Sequence, residues 1–125
     1  MVRLLRAYPA VVLLLCLTGC TFGSGSMQVN VLNPAQPLYE EGLAAYNTGD
    51  LDTAINRFTD VVHYYSHNGL ADDATYMLGR CYDKKGDILD AARYYQLFVE
   101  RFPNDKRAPA VKKRLEYLKS GLKDR

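Results

Sequence analysis

Histidine and cysteine are the residues of this chain whose side chains are best suited to metal binding or nucleophilic catalysis. His63 and His67 lie four residues apart, the spacing at which two histidines on one helix can share a metal ion. The apolar helical pattern ends between them, however, and no glutamate or third ligand is spaced to join them. We therefore interpret the pair as a solvated helix end.

No other motif in the sequence predicts chemistry. The chain contains no HExxH, no GxSxG, no plausible Ser/His/Asp set and no phosphate-binding loop. Asp87 and Asp90 lie in the first turn of a predicted helix, where acidic residues suit the helix dipole, and we interpret them as capping residues. The sequence thus predicts a protein that is not an enzyme, with no catalytic residue, no metal and no cofactor.

Residues 1–19 predict a secretory signal peptide. Arg3 and Arg6 form its basic start and residues 10–17 its apolar stretch, which is far shorter than the roughly 20 residues of a membrane span. Once this segment is removed, basic and acidic residues are equal in number. That balance does not favour nucleic acid as a partner, because nucleic-acid binding requires a clustered basic surplus.

The signal peptide ends in Leu17-Thr18-Gly19-Cys20, which resembles the lipobox of bacterial lipoproteins. The resemblance implies cleavage after Gly19, diacylglycerol on the Cys20 thiol and acylation of the new amino terminus. Thr21 stands where an aspartate would favour the inner membrane, so the resemblance implies the outer membrane, with the protein facing the periplasm. The alternative is an ordinary secretory signal that happens to end in cysteine.

Residues 20–37 predict the lipidated cysteine and a flexible tether, because Gly, Ser, Asn and Pro are frequent and helical periodicity is weak. A short binding segment at Val29, Val31 and Leu32 is the alternative for part of this stretch. With Cys20 lipidated, Cys81 has no cysteine to pair with. We interpret Cys81 as a small buried core residue, with a reactive thiol as the alternative.

Two segments of the chain repeat at a spacing of 37 residues. Gly42, Gly49, Ala54 and Phe58 correspond to Gly79, Gly86, Ala91 and Tyr95. In each copy a helix, a tight turn and a second helix are predicted from apolar residues at helical spacing. The alanines predict a close approach of the two helices in each hairpin, and the small Gly42 lets a neighbouring helix approach.

The pattern G-x-x-Y-x-x-x-G-D-x-x-x-A-x-x-x-Y, which begins at Gly79 and is followed by Pro103, resembles the tetratricopeptide repeat. The first copy departs from it at Ala45 and Ser66, where the family has tyrosine and proline. The resemblance covers about residues 35–122. It implies an all-α fold, a short right-handed α-solenoid of about two helical hairpins plus a C-terminal capping helix over residues 38–122.

The capping helix has one apolar stripe, formed by Val111, Leu115, Leu118 and Leu122. Its basic run, residues 112–114, is interpreted as a solvated face, with contact to anionic lipid or peptidoglycan as the alternative.

The resemblance also implies a partner-binding groove lined by the first helix of each hairpin. The matching positions are Tyr39, Leu43 and Tyr46 in the first hairpin and Tyr76, Arg80, Asp83 and Lys84 in the second. Their spacing places each set on one face of its helix.

Two features of this predicted groove leave its role open. Members of the family that clamp a chain-terminal carboxylate have Lys and Asn on this face, whereas Tyr39 and Tyr76 stand at one such position here, so no such clamp is expected. The alternative for Arg80, Asp83 and Lys84 is a merely solvated face. The alternative for the tyrosines, together with Tyr94, is that they fill the seams between helices.

Residues 98–118 are similar to the repeat ends of the outer-membrane β-barrel assembly lipoprotein and of the periplasmic coordinator of the Tol–Pal system. The resemblance implies a non-catalytic, lipid-anchored adaptor that assists assembly of an outer-membrane or envelope complex, with an envelope protein or peptide segment as partner. A pilotin-like lipoprotein of a pilus or secretion system, or a non-catalytic subunit of a cell-wall enzyme, is the alternative. Because stable arrays need about three repeats, self-association is also open.

Overall fold

The computed structural model describes residues 33–124, and in this range the chain forms five α-helices and no strand. The helices are α1 (Ala35–Thr48), α2 (Leu51–Tyr64), α3 (Leu70–Lys85), α4 (Ile88–Arg101) and α5 (Ala108–Lys123). Consecutive helices pack against each other, and α1 also contacts α3. The predicted all-α fold, two helical hairpins followed by a capping helix, is confirmed.

The predicted signal peptide, the lipidation site at Cys20 and the alternative binding segment at residues 29–32 lie outside the described residues. Helix α1 begins at Ala35, three residues before the predicted start of the helical domain at Leu38. Among residues 33–124, every helix is too short or too polar to cross a bilayer.

Both hairpins turn on the same two-residue device. Gly49 and Gly86 end α1 and α3 in the left-handed region, at φ 87° and 84°, which only glycine adopts at no steric cost. Asp50 and Asp87 follow directly and cap the next helix, each side chain accepting a hydrogen bond from the backbone N–H three residues on. The repeat in the sequence is therefore a repeat of turn geometry.

Each of α1, α3 and α5 is entered through an asparagine or aspartate whose side chain accepts a hydrogen bond from the backbone N–H two residues on. These residues are Asn33, Asn68 and Asp105. Asn68 also donates its side-chain amide to Asn33 Oδ1 at 2.6 Å, which ties the start of α3 to the start of α1.

In each hairpin, an aromatic ring of the second helix packs in the core against a glycine of the first helix. Phe58 of α2 lies against Gly42 of α1, and Tyr95 of α4 lies against Gly79 of α3. A Cβ atom at Gly79 would stand 2.5 Å from the Tyr95 ring, so no larger residue fits without displacing that ring. These glycines therefore allow the two helices of each hairpin to approach closely. The alanines from which a close approach was also predicted, in α2 and α4, are fully buried.

Helix α5 repeats only one face of α3. Its buried residues, Ala108, Val111, Leu115 and Leu118, correspond to Ala71, Ala74, Leu78 and Cys81 at the same spacing of 37. The buried Thr75 and Gly79, however, correspond to the exposed Lys112 and Glu116. In α3 that face receives α4; in α5 it is polar and solvated, as expected of a capping helix.

Candidate functional site

Side chains from α1, α3, α4 and α5 meet along one face of the solenoid. They surround a cavity of about 310 Å³ lined by Tyr46, Arg80, Asp83, Lys84, Tyr95 and Arg114, which we call the inner groove. Four of the seven groove residues predicted from the sequence line it. Two others, Tyr95 and Arg114, were not predicted there.

Two cations of α3 lie over one tyrosine of α1. The Arg80 guanidinium carbon is 5.1 Å from the centre of the Tyr46 ring, and Lys84 Nζ is 4.6 Å from it. Both distances are within the range of cation–π attraction. Lys84 Nζ also lies 3.5 Å from the Tyr46 carbonyl oxygen, to which it donates a long hydrogen bond. The Tyr46 ring is thus a platform that holds both charged groups at the rim of the inner groove.

The Asp83 carboxylate already has hydrogen-bond partners within the chain. It accepts two hydrogen bonds from the Arg114 guanidinium of α5, at 2.8 and 2.6 Å, and one from the Tyr95 hydroxyl at 3.2 Å. The Arg114 hydrogen bonds hold the pKa of Asp83 below its usual value. Burial, and then the nearby Asp83 charge, raise the pKa of Tyr95. Asp83 therefore joins α3 to α5 instead of facing a partner.

Replacing Asp83 with asparagine should lower the free energy of unfolding by about 1 kcal/mol at neutral pH, because the hydrogen bonds from Arg114 and Tyr95 lose their charged acceptor. Solvent around the exposed Arg114 side chain already screens part of this interaction. Since the folded-state pKa is lowered, the contribution is present above the ordinary carboxyl pKa. It fades as pH falls from there through the folded-state pKa. Urea unfolding of wild type and variant at neutral and acidic pH measures this.

The matched control is Glu116→Gln on the exposed face of α5, which should change stability by less than about 0.5 kcal/mol. An Asp83→Asn deficit that stayed constant into the acidic range would contradict the ion pair.

Tyr76 lies at the far end of the same face and is fixed by packing. Its ring is 5.4 Å from that of Phe98, and the Arg107 guanidinium carbon is 4.9 Å from its centre. Arg107 in turn forms salt bridges with Asp73 at 2.6 Å and Asp105 at 2.8 Å. Hydrogen bonds from Arg107 lower the pKa of Asp105 to about 2. This cluster clamps the loop before α5 onto α3.

Tyr39 and Leu43 do not line the inner groove. The Tyr39 ring lies 5.5 Å from that of Phe58, and both Tyr39 and Leu43 pack on the core cluster shared by α1, α2 and α3. Tyr94 of α4 is likewise engaged, stacked on Tyr82 at 5.4 Å with ring planes 5° apart. For these tyrosines the structure favours the alternative of seam-filling side chains.

The candidates for chemistry are placed as follows. Helix α2 ends at Tyr64, between His63 and His67. No group of three metal-ligating side chains lies together among residues 33–124. Cys81 is fully buried, and burial raises the pKa of its thiol to about 11, which disfavours the reactive-thiol alternative.

Sequence patterns contain no signal for the inner groove residues that were not predicted. Tyr95 belongs to the apolar stripe of α4, and only its hydroxyl reaches Asp83. Arg114 belongs to a basic run on α5 that is typical of a solvated helix face. Its pairing with Asp83 depends on how α5 lies beside α3, which no local pattern encodes.

Stacked helical hairpins with a lined inner face define the class of helical-repeat proteins. A family model described as tetratricopeptide repeat matches residues 39–106, more than half of the chain, and the chain therefore belongs to the tetratricopeptide repeat family. No curated protein sequence matches the chain significantly. Tetratricopeptide repeats commonly mediate protein–protein interaction and are typically non-catalytic, which makes the inner groove the candidate partner site.

Proposed function

We propose that this protein is a non-catalytic adaptor, anchored to the outer membrane by lipid on Cys20 and facing the periplasm, that assists assembly of an envelope complex. The inner groove holds a segment of the partner protein. The lipobox-like Leu17-Thr18-Gly19-Cys20 supports the anchor. The flexible tether predicted from the composition of residues 20–37 supports a groove that works close to the membrane surface.

The observation that carries the adaptor proposal is the arrangement of Tyr46, Arg80 and Lys84. Tyrosine and arginine are among the residues enriched at the energetic centres of protein interfaces. Here both occur at one rim of the inner groove, where Arg80 is exposed and Tyr46 is half-buried. The ring holds the cations in place, so a partner meets a surface that is already organised.

The test is recovery of envelope partners by a double variant, Tyr46→Ala with Arg80→Glu, from detergent-solubilised membranes, with quantitative mass spectrometry. The chain offers a matched control on α4, where the Arg93 guanidinium carbon lies 5.2 Å from the Tyr94 ring centre. Tyr94→Ala with Arg93→Glu makes the same chemical change away from the inner groove.

Both variants are first shown to be helical by circular dichroism. We expect the amount of partner protein recovered with the groove variant to fall at least about tenfold, and the amount recovered with the α4 variant to match wild type. The reverse result would move the partner site to the Tyr94 face of α4.

A further inference from the structure

We infer that the segment held in the inner groove is acidic, and that its side-chain carboxylates bind Arg80 and Lys84. The inference rests on the proposed function, in that it takes the inner groove as the partner site, and it names the chemistry of the partner.

The charge balance of the inner groove is the first observation. Its lining contains three cations, Arg80, Lys84 and Arg114, and one carboxylate, Asp83. That carboxylate is taken by Arg114 and the Tyr95 hydroxyl. Among residues 33–124, neither Arg80 nor Lys84 forms a salt bridge, and both are exposed. The groove thus has two positive charges that its own acids do not neutralise.

Two other cations close to α3, in contrast to Arg80 and Lys84, are neutralised by acids of the chain. Lys85, the next residue after Lys84, forms a salt bridge with Asp52 of α2. Arg107, which directly precedes α5, forms salt bridges with Asp105 and with Asp73 near the start of α3. The Tyr46 ring, and not an acidic side chain, is what holds Arg80 and Lys84 on the groove rim.

The geometry of the two cations favours carboxylate binding over mere solvation. Both lie over the Tyr46 ring, within about 6 Å of its centre, which limits the conformations that an exposed side chain otherwise samples. Less side-chain entropy is then lost when a ligand binds. The guanidinium of Arg80 can donate two parallel hydrogen bonds to one carboxylate, and Lys84 supplies a second charge one helical turn away.

Other occupants fit this surface less well. A basic segment would place like charges beside Arg80 and Lys84, and like charges that face each other across an interface are strongly unfavourable. A wholly apolar segment would cover Arg80 and Lys84 without giving them a partner, and burying an unpaired charge is strongly unfavourable. An acidic segment neutralises both and leaves the Asp83–Arg114 pair intact.

The probes are matched pools of amidated dodecapeptides, randomised except at alternate positions, which are fixed as Glu, Gln or Lys. Amidation removes the chain-terminal carboxylate, so only side chains can supply acid. Binding is followed by fluorescence anisotropy at about 50 mM and about 300 mM salt. The site of binding is read from chemical-shift changes in the ¹⁵N spectrum of the full chain in detergent.

We expect the Glu pool to bind at least about tenfold more tightly than the Gln pool, to shift the signals of Tyr46, Arg80 and Lys84, and to weaken at the higher salt. Arg80→Glu with Lys84→Glu should abolish this preference. The matched control is Lys112→Glu with Lys119→Glu, which makes the same change of charge on α5. Neither residue lines the inner groove, and Lys119 contacts Gln96 of α4. The control variant should keep the preference.

Each other result overturns the inference in a distinguishable way. Equal binding of the Gln or Lys pool in the inner groove would show a partner site with different chemistry, so the proposed function would stand. Equal weakening by both double variants would show nonspecific attraction to the positive charge of the domain. If no pool shifts the inner groove signals, the groove is not a peptide site, and the proposed function fails with the inference.

Discussion

Replacing Gly79 with alanine is expected to lower the free energy of unfolding by a net of about 2 kcal/mol. A Cβ atom at this position would stand 2.5 Å from Cδ1 and 2.6 Å from Cε1 of Tyr95, far inside van der Waals contact. Overpacking of this kind costs about 1–3 kcal/mol. It is opposed by the better helix propensity of alanine, which contributes about 1 kcal/mol. We place the overpacking cost near its upper limit because the contact is so close.

Tyr95 cannot swing away freely to relieve the clash. Its side chain is only 5% exposed, and its hydroxyl donates to Asp83 in the inner groove. A displaced ring would therefore also disturb the carboxylate that receives Arg114. We expect the Gly79→Ala variant to lose part of the pH-dependent stability that Asp83 contributes, in addition to its packing loss.

Urea unfolding followed by circular dichroism measures the effect, and Gly121→Ala is the matched control. Gly121 is also helical, in α5, but nothing stands within 4 Å of a Cβ placed there. The control should gain up to about 1 kcal/mol from helix propensity alone. If Gly79→Ala were stabilised to the same degree, α3 and α4 would not approach as closely as the structure shows.

The fold was predictable because its determinants are local and repeated. Gly49-Asp50 and Gly86-Asp87 each specify a left-handed residue and a helix cap within two positions. The apolar stripes specify which side of each helix is buried. By contrast, the contact of Gly79 with Tyr95 joins residues on different helices. The repeat shows that a glycine and an aromatic residue occupy equivalent positions in both hairpins, but it does not show that they are in contact.

The same distinction applies to the inner groove. Tyr76, Arg80, Asp83 and Lys84 share a face of α3 through helical spacing, so grouping them required only the period of the helix. The state of each residue depends on other helices: Asp83 is paired because Arg114 arrives from α5, 31 residues on. Arg80 and Lys84 are positioned because Tyr46 faces them from α1. Sequence patterns therefore locate the charged face but not which of its charges are available to a partner.

Replacing Cys20 with alanine is expected to abolish lipid attachment completely, because the Cys20 sulfur is the atom to which diacylglycerol would be attached. Burial of acyl chains contributes about 0.8 kcal/mol per methylene, so one chain gives only marginal binding and several chains give a stable anchor. Modification of both the thiol and the new amino group, as predicted, would therefore give a stable attachment. Without the thiol, the cleavage that exposes this amino group is also expected to fail.

Intact-mass spectrometry is the decisive measurement, because an uncleaved signal peptide can itself hold the Cys20→Ala variant at the membrane and fractionation alone would not reveal the loss. Wild type should begin at Cys20 and carry acyl mass, and the variant should retain residues 1–19. Cys16→Ala is the matched control: it removes a cysteine of the same segment, and we expect normal processing. An unmodified Cys20 at the mature amino terminus of wild type would contradict the anchor. It would not affect the inner groove, whose lining belongs entirely to residues 46–114.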